Sequence, residues 1–92
     1  MSLLSKTEIQ KGISDLDGWE YVDGLIKKTF SFDTYMDSIS FINLLAKKAE
    51  IANHHPDMYV GWCKIKITFT SHDQGGVTAA CINMAKQADG IL

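Results

Sequence analysis

Three histidines, His54, His55 and His72, are the residues of this chain best suited to acid–base chemistry. Imidazole has an ordinary pKa of about 6.5, so one ring can give a proton while another takes one near neutral pH. His54 and His55 precede Pro56, which ends a helical pattern, and His72 follows an alternating strand pattern. A hairpin between these two segments would bring the three rings to one rim of a sheet. The spacing therefore predicts a proton-transfer site.

Other interpretations of these residue types remain open at this point. Spacing alone fits ordinary surface or capping histidines equally well. Adjacent histidines on an extended chain project in opposite directions, so His54 and His55 do not suit one shared zinc ion. Cys63 and Cys81 are isolated thiols, which is typical of small buried hydrophobic residues in a reducing compartment. We therefore expect no metal site.

Composition narrows the class of protein. The chain has 92 residues, of which 46% are hydrophobic, and this predicts one folded domain over residues 1–92. Its nine basic residues are all lysines, and 11 acidic residues give a net charge of −2, which argues against direct binding of nucleic acid. No apolar run reaches the roughly 20 residues that span a bilayer, so we expect no membrane partner.

The cellular compartment is predicted from the first residues of the sequence. Met1–Gln10 contains Lys6 and Glu8 and lacks the apolar segment of a secretory signal. We therefore expect a cytoplasmic protein, which could also reach the nucleus if its source is a eukaryote.

Three helices and four strands must position the histidines. Ser5 and Glu8 fit a capping box at the start of a first helix that ends near Ser14. Asp23-Gly24 lies between two β-rich runs and predicts a tight hairpin, because a type I′ turn needs positive φ at both central residues.

The second half of the chain predicts a long helix, two strands and a last helix. Asp33 is the expected N-cap of a helix over 34–51, and Thr78 is the expected start of a helix that ends near Asp89. Antiparallel strands segregated from helices make an α+β fold. We predict a four-stranded antiparallel sheet with three helices packed on one face, in the order α-β-β-α-β-β-α.

The predicted strands differ in the clarity of their patterns. Residues 64–70 alternate cleanly between apolar and polar side chains, and residues 58–62 form the strand before them. In the strand over 25–32, Lys28 interrupts the alternation, so we expect that strand to be partly exposed near Lys28.

The helix over 34–51 carries a wide apolar stripe. Its members at helical spacing are Met36, Ile39, Ile42, Leu45, Ala46 and Ala49, widened by Phe41 and Leu44. Such a stripe covers a sheet on one side and can meet a partner helix on the other, although core packing alone also explains it. A domain of this size has a limited core, so we predict a homodimer or homotetramer.

A family resemblance rests on a carboxylate, the three histidines, a proline and a tryptophan: Glu50-x-x-x-His54-His55-Pro56, Trp62 and His72. Their spacing and the order of the elements resemble those of pterin-4a-carbinolamine dehydratases over nearly the whole chain. The resemblance implies a cofactor-free lyase that converts 4a-hydroxytetrahydropterins to quinonoid dihydropterin and water, in tetrahydrobiopterin recycling.

The resemblance also implies a role for each residue. His54 and His72 would form the acid–base pair, and His55 would position or stabilise the substrate. Glu50 would orient a histidine or bind the polar edge of the pterin ring. The remaining residues of the implied binding site are Asn53, Pro56, Trp62, Thr70 and Ser71.

Two positions depart from the family pattern. Cys81 stands where the family usually has an aspartate, and Met58 stands where an aromatic residue is common. If the aspartate supports the third histidine, its loss would lower activity or mark a divergent member. The alternatives are a protein-binding dimerisation cofactor, or transcriptional coactivator, acting through the 34–51 helix, and a role in molybdopterin metabolism.

Overall fold

A computed structural model describes residues 2–92 of the chain. Seven elements follow one another along it: α1 (Lys6–Ser14), β1 (Glu20–Val22), β2 (Leu25–Ser31), α2 (Tyr35–Ala52), β3 (Asp57–Val60), β4 (Lys64–Phe69) and α3 (Ala79–Asp89). The predicted α+β order is confirmed. Among residues 2–92, no helix combines the length and apolarity that a bilayer crossing requires.

Helix α1 and the first hairpin form as their local signals predict. The Ser5 hydroxyl accepts from the Glu8 backbone N–H at 3.1 Å, and the Glu8 carboxylate accepts from the Ser5 backbone N–H at 2.9 Å. Asp23 and Gly24 have φ values of 49° and 79°, which lets a two-residue loop join β1 to β2.

The sheet has the strand order β1-β2-β4-β3, with antiparallel pairing throughout. Strand β4 is therefore central, and the alternation predicted for it is confirmed: Ile65, Ile67 and Phe69 are fully buried against the helices. Strand β3 is shorter than predicted, since it ends at Val60 and the chain turns through Gly61 before β4 begins.

Helix α2 begins at Tyr35, one residue later than predicted. Thr34, not Asp33, is the N-cap, because Thr34 is extended and its hydroxyl accepts from the Asp37 backbone N–H at 3.0 Å. The helix ends at Ala52 because Asn53 adopts a left-handed conformation with φ of 51°. Pro56 follows only after that reversal, so it is not the residue that stops the helix.

The wide stripe of α2 divides into two parts. Phe41, Leu45 and Ala49, one helical turn apart, are buried in the core. Met36 is 68% exposed and Ile51 is 88% exposed, so the other side of the helix is not covered within one subunit.

A polar cluster lies at the C-terminal end of α3. Lys28 stays on the inner side of β2, and its ammonium group donates to Asp89 at 2.9 Å and lies 4.6 Å from the centroid of the Phe30 ring. The indole N–H of Trp19 donates to both carboxylate oxygens of Asp89 at 3.1 Å. The strand is partly exposed near Lys28, as expected: Lys28 is half-buried and the neighbouring Thr29 is exposed. Asp89 supplies a partner for the inward-facing charge of Lys28. We call Trp19, Lys28 and Asp89 the carboxylate cluster.

Cys63 also departs from its prediction. It is only half-buried and has a φ of 60°, because it forms part of the tight turn between β3 and β4. Cys81 is buried as predicted, with 0% of its surface exposed.

Candidate functional site

All three histidines line one cavity of about 260 Å³ at an end of the sheet. The walls come from the end of α2 and from the turn that follows β4. The lining residues are Asn53, His54, His55, Thr70, Ser71, His72 and Asp73.

Local backbone geometry brings these two segments together. The left-handed Asn53 turns the chain out of α2, and the His54 backbone N–H still donates to the Ala49 carbonyl at 3.1 Å. Asp57 then pairs with Thr68, so the residues before β3 lie beside those after β4. The Ser71 backbone N–H donates to the Gly76 carbonyl at 2.8 Å and closes the turn that carries His72.

His54 is the most enclosed of the three imidazoles. Its ring stacks on Phe69, with centroids 6.1 Å apart and planes inclined by 17°. Its Nε2 atom lies 3.3 Å from the sulfur of Cys81. Burial lowers the pKa of His54 below its ordinary value of 6.5; the positive charges of His55 and His72 add to this, and the carboxylate of Asp73 opposes it. His54 therefore favours its neutral form, which can accept a proton.

His55 makes an ion pair or hydrogen bond with the Glu50 carboxylate. Both side chains are exposed. Glu50 precedes His54 by four residues, the spacing of one helical turn, but the helix ends at Ala52. His54 therefore leaves the helical register, and Glu50 meets His55 instead.

His72 is exposed at the mouth of the cavity. Its Nε2 atom lies 3.6 Å from a carboxylate oxygen of Asp57, the first residue of β3. Two imidazoles in different surroundings thus line one space, His54 half-buried and His72 in contact with solvent. Such an arrangement can take a proton at one point and supply one at another.

The hydroxyl groups of the cavity are already engaged within the protein. Ser71 Oγ and Thr78 Oγ1 are hydrogen-bonded at 2.7 Å, and both side chains are buried. Thr70 Oγ1 donates to the Gly24 carbonyl at 2.9 Å. These contacts hold the wall of the cavity rigid.

The thiol of Cys81 lies against the Ser71–Thr78 pair, with its sulfur 3.6 Å from Ser71 Oγ and 3.9 Å from Thr78 Oγ1. We call His54, Ser71, Thr78 and Cys81 the thiol cluster.

Three of the residues implied by the resemblance do not line the cavity. Glu50 and Pro56 flank it, and Glu50 reaches it only through His55. Trp62 is 81% exposed in the turn after β3, at the end of that strand opposite Pro56. The structure therefore does not bring Trp62 to the histidines within one subunit.

Two residues at the site were not assigned a role there from the sequence. Asp73 lines the cavity, and its position directly after His72 was the available signal. The sulfur of Cys81 contacts Nε2 of His54, although the two residues are 27 positions apart. The family resemblance singled out Cys81, but no local pattern in the sequence predicts a contact between residues so far apart.

A metal site and a second cavity are the alternatives to this location. Within the described part of the chain, no three side chains of His, Cys, Asp or Glu stand close enough to share a metal ion. A larger cavity of about 540 Å³ lies on the sheet, with Asp23, Lys27, Asp57 and Lys66 among its lining residues. Its lining contains neither imidazole nor thiol, so the smaller cavity is the better candidate for proton transfer near neutral pH.

Comparison with known proteins gives consistent results along the whole chain. Residues 2–91 match the profile of a family described as pterin 4 alpha carbinolamine dehydratase. A protein of Mycolicibacterium vanbaalenii, provisionally named pterin-4-alpha-carbinolamine dehydratase, is 33% identical over 92 residues, covering 100% of this chain and 99% of the relative. A Nostoc punctiforme protein with the same provisional name is 42% identical over 84 residues, covering 91% of this chain and 90% of the relative.

Solved structures share the fold. A Brucella melitensis protein described as a transcriptional coactivator/pterin dehydratase superposes with a TM-score of 0.94 and 29% identity, covering 98% of each chain. A pterin dehydratase-like protein identified as a RuBisCO assembly factor in the alpha-carboxysome has a TM-score of 0.69 and 22% identity, covering 83% of this chain and 90% of the other. The second likeness is one of fold alone.

Proposed function

Because this chain belongs to the pterin 4 alpha carbinolamine dehydratase family, we propose that it dehydrates 4a-hydroxytetrahydropterins to quinonoid dihydropterins. The reaction releases water and serves the recycling of tetrahydrobiopterin-type compounds in the cytoplasm. The observation that carries the proposal is the gathering of His54, His55 and His72 around one cavity at the end of the sheet.

The chemistry needs two proton transfers and no change of oxidation state. The 4a-hydroxyl group must receive a proton to leave as water, and the N5–H proton must be removed as the C4a–N5 double bond forms. His54 and His72 act as the acid–base pair in this proposal. Burial lowers the pKa of His54 and favours its neutral form, which suits a base, while the exposed His72 can exchange protons with solvent.

Binding of the flat pterin ring is proposed for the remaining walls of the cavity. Asn53 and Asp73 supply polar groups there, and His55 positions the substrate with its imidazole held by Glu50. Thr70 contributes backbone groups, because its hydroxyl donates to Gly24 inside the protein. Ser71 shapes the wall of the cavity, since its hydroxyl and its backbone N–H are both engaged within the protein. The two proton transfers change no oxidation state, so the proposed reaction invokes no cofactor.

The decisive experiment measures dehydration of a 4a-hydroxytetrahydropterin formed in situ by an aromatic amino acid hydroxylase. We expect the wild-type chain to accelerate the reaction, and His54→Ala and His72→Ala each to lower kcat by about 100-fold or more. Lys86→Ala, on the exposed side of α3, is a matched control that keeps the wild-type rate. A wild-type rate equal to the uncatalysed rate would refute the proposed activity.

A second candidate function, self-association, is favoured by the exposed side of α2. Leu44 and Ile51, seven residues apart, lie on one stripe of the helix, and Met36 flanks them. We propose that a second copy of this chain covers this stripe in a homodimer or homotetramer. A partner helix of another protein, as in a coactivator, is the alternative occupant.

Light scattering at micromolar concentration tests this proposal. We expect an oligomer for the wild-type chain and a smaller species for Leu44→Glu, while Gln10→Glu on exposed α1 keeps the wild-type mass. A monomeric wild-type chain would rule out self-association through α2.

A further inference from the structure

Cys81 is buried, yet it directly contacts the most enclosed imidazole of the site. It lies in the first turn of α3, and its sulfur is 3.3 Å from His54 Nε2. Ser71 and Thr78 hydrogen-bond to each other at 2.7 Å and lie farther from the sulfur than His54 does. The Nε2 atom is therefore the closest polar neighbour of the thiol.

The position of the His54 ring is fixed from two directions. Phe69 stacks on the face of the ring, and Cys81 meets its Nε2 edge. Among residues 2–92, Nδ1 of His54 has no hydrogen-bond partner, although the residue lines the cavity. A partner at one imidazole nitrogen decides which nitrogen is left with its lone pair for chemistry.

We propose that Cys81 is a positioning residue that keeps His54 as the base of the reaction. In this arrangement Nε2–H donates to the thiol sulfur, and the lone pair of Nδ1 faces the substrate. The inference rests on the proposed dehydration and assigns the two imidazoles within it. His54 takes the N5 proton while the electrons of the N5–H bond form the C4a–N5 double bond. His72 protonates the departing hydroxyl, the C4a–O bond breaks, and solvent returns the protons to their starting positions.

An uncharged thiol suits a base better than the aspartate that the family usually has at this position. A carboxylate beside Nε2 would stabilise the imidazolium and raise the pKa of His54. The thiol adds no negative charge, so burial keeps that pKa below its ordinary value. The charged groups acting on His54 from the rest of the site are Asp73, His55 and His72, and none of them lies on α3.

The test combines three variants with two measurements. Cys81→Asp, Cys81→Ser and Cys81→Ala are compared with wild type by the pH dependence of kcat/KM in pterin dehydration. The titration and tautomer of His54 are followed separately by nitrogen-15 NMR of the imidazole without pterin. Cys63→Ser, in the turn between β3 and β4, is the matched control for loss of a thiol, and we expect it to match wild type in both measurements.

We expect Cys81→Asp to raise the pKa of His54 by about 1 unit or more and to move the ascending limb of kcat/KM by the same amount. Cys81→Ser should keep the wild-type profile, because a hydroxyl also accepts from Nε2–H. Cys81→Ala should lower kcat by about 10-fold with little change in KM, since the ring loses its orientation but the cavity keeps its lining.

Two results would overturn the inference. A His54 titration that Cys81→Asp leaves unchanged would show that the thiol position does not act on this imidazole. A wild-type His54 with its proton on Nδ1 would exclude it as the base. If the conservative Cys81→Ser and wild type share the expected NMR titration but neither dehydrates the pterin, the proposed reaction and the base role fail, while the contact between Cys81 and His54 stands.

Discussion

Helix α3 carries a polar cluster at each end, and the two clusters differ in how completely their groups are matched. In the carboxylate cluster at its last turn, Asp89 accepts from the Lys28 ammonium group and from the Trp19 indole N–H. In the thiol cluster at its first turn, His54 contacts Cys81 through Nε2 alone, and the same residue lines the cavity. A closed set of partners stabilises a fold, whereas an incomplete one is available to a substrate.

The largest effect should come from the thiol cluster and should concern activity. We expect His54→Gln to lower kcat for pterin dehydration by about 100-fold or more, because the amide cannot exchange a proton near neutral pH. The urea midpoint should change little, since Gln can still hydrogen-bond beside Cys81. Steady-state kinetics and urea unfolding of the same preparation measure both quantities. If His54→Gln lowered stability as much as activity, the proposed difference between the two clusters would be contradicted.

Next in size is a loss of stability from the carboxylate cluster. Asp89→Ala removes the acceptor of Trp19 and leaves the partly buried Lys28 without its counter-ion. We expect the free energy of unfolding to fall by about 1–3 kcal/mol, the usual cost of leaving buried polar groups unpaired. Urea unfolding measures this loss, and kcat of the folded fraction should match wild type. Lower activity without lower stability would contradict the structural role of Asp89.

A smaller effect is expected for Lys28→Met in the same cluster. Methionine keeps the apolar packing of the lysine stem over Phe30, and Asp89 keeps the indole N–H of Trp19. We expect a loss of roughly 1 kcal/mol in the free energy of unfolding, below that of Asp89→Ala. Unfolding curves of the two variants, collected side by side, test the order. A greater loss for Lys28→Met would mean that Lys28 does more than neutralise Asp89.

The smallest effect is a pH dependence of stability that originates in the thiol cluster. Burial lowers the pKa of His54 in the folded chain below its ordinary value of 6.5, so the unfolded state binds more protons in this range. The free energy of unfolding should therefore fall as the pH drops below about 6.5. Unfolding at several pH values should give a flatter profile for His54→Gln than for wild type. Identical profiles would show that His54 titrates alike in both states.

Local signals predicted most of the elements because their interactions are made within a few residues. The capping box of Ser5 and Glu8 and the Asp23-Gly24 turn need only backbone and neighbouring side chains. The start of a helix was harder to predict where two adjacent residues had similar chemistry. Asp33 and Thr34 both suit an N-cap, and backbone conformation decided for Thr34.

The candidate site was only partly predictable. The spacing of the three histidines predicted their common location, because the hairpin of β3 and β4 joins their segments. The resemblance did not say which histidine Glu50 would orient. The left-handed Asn53 takes His54 out of the helical register, so Glu50 meets His55. Trp62 was assigned to the site by resemblance, and the turn after β3 carries it away from the cavity.

The sequence by itself determined the order of elements, the buried face of β4 and the residues capable of proton transfer, because periodicity and residue type are local properties. Only the tertiary structure decided that β4 is central, that Asp89 neutralises Lys28, and that the sulfur of Cys81 lies against His54. These contacts join residues far apart in the chain. They depend on the register of the strands and on the position of α3 against the sheet. Local patterns carry no information about such distances.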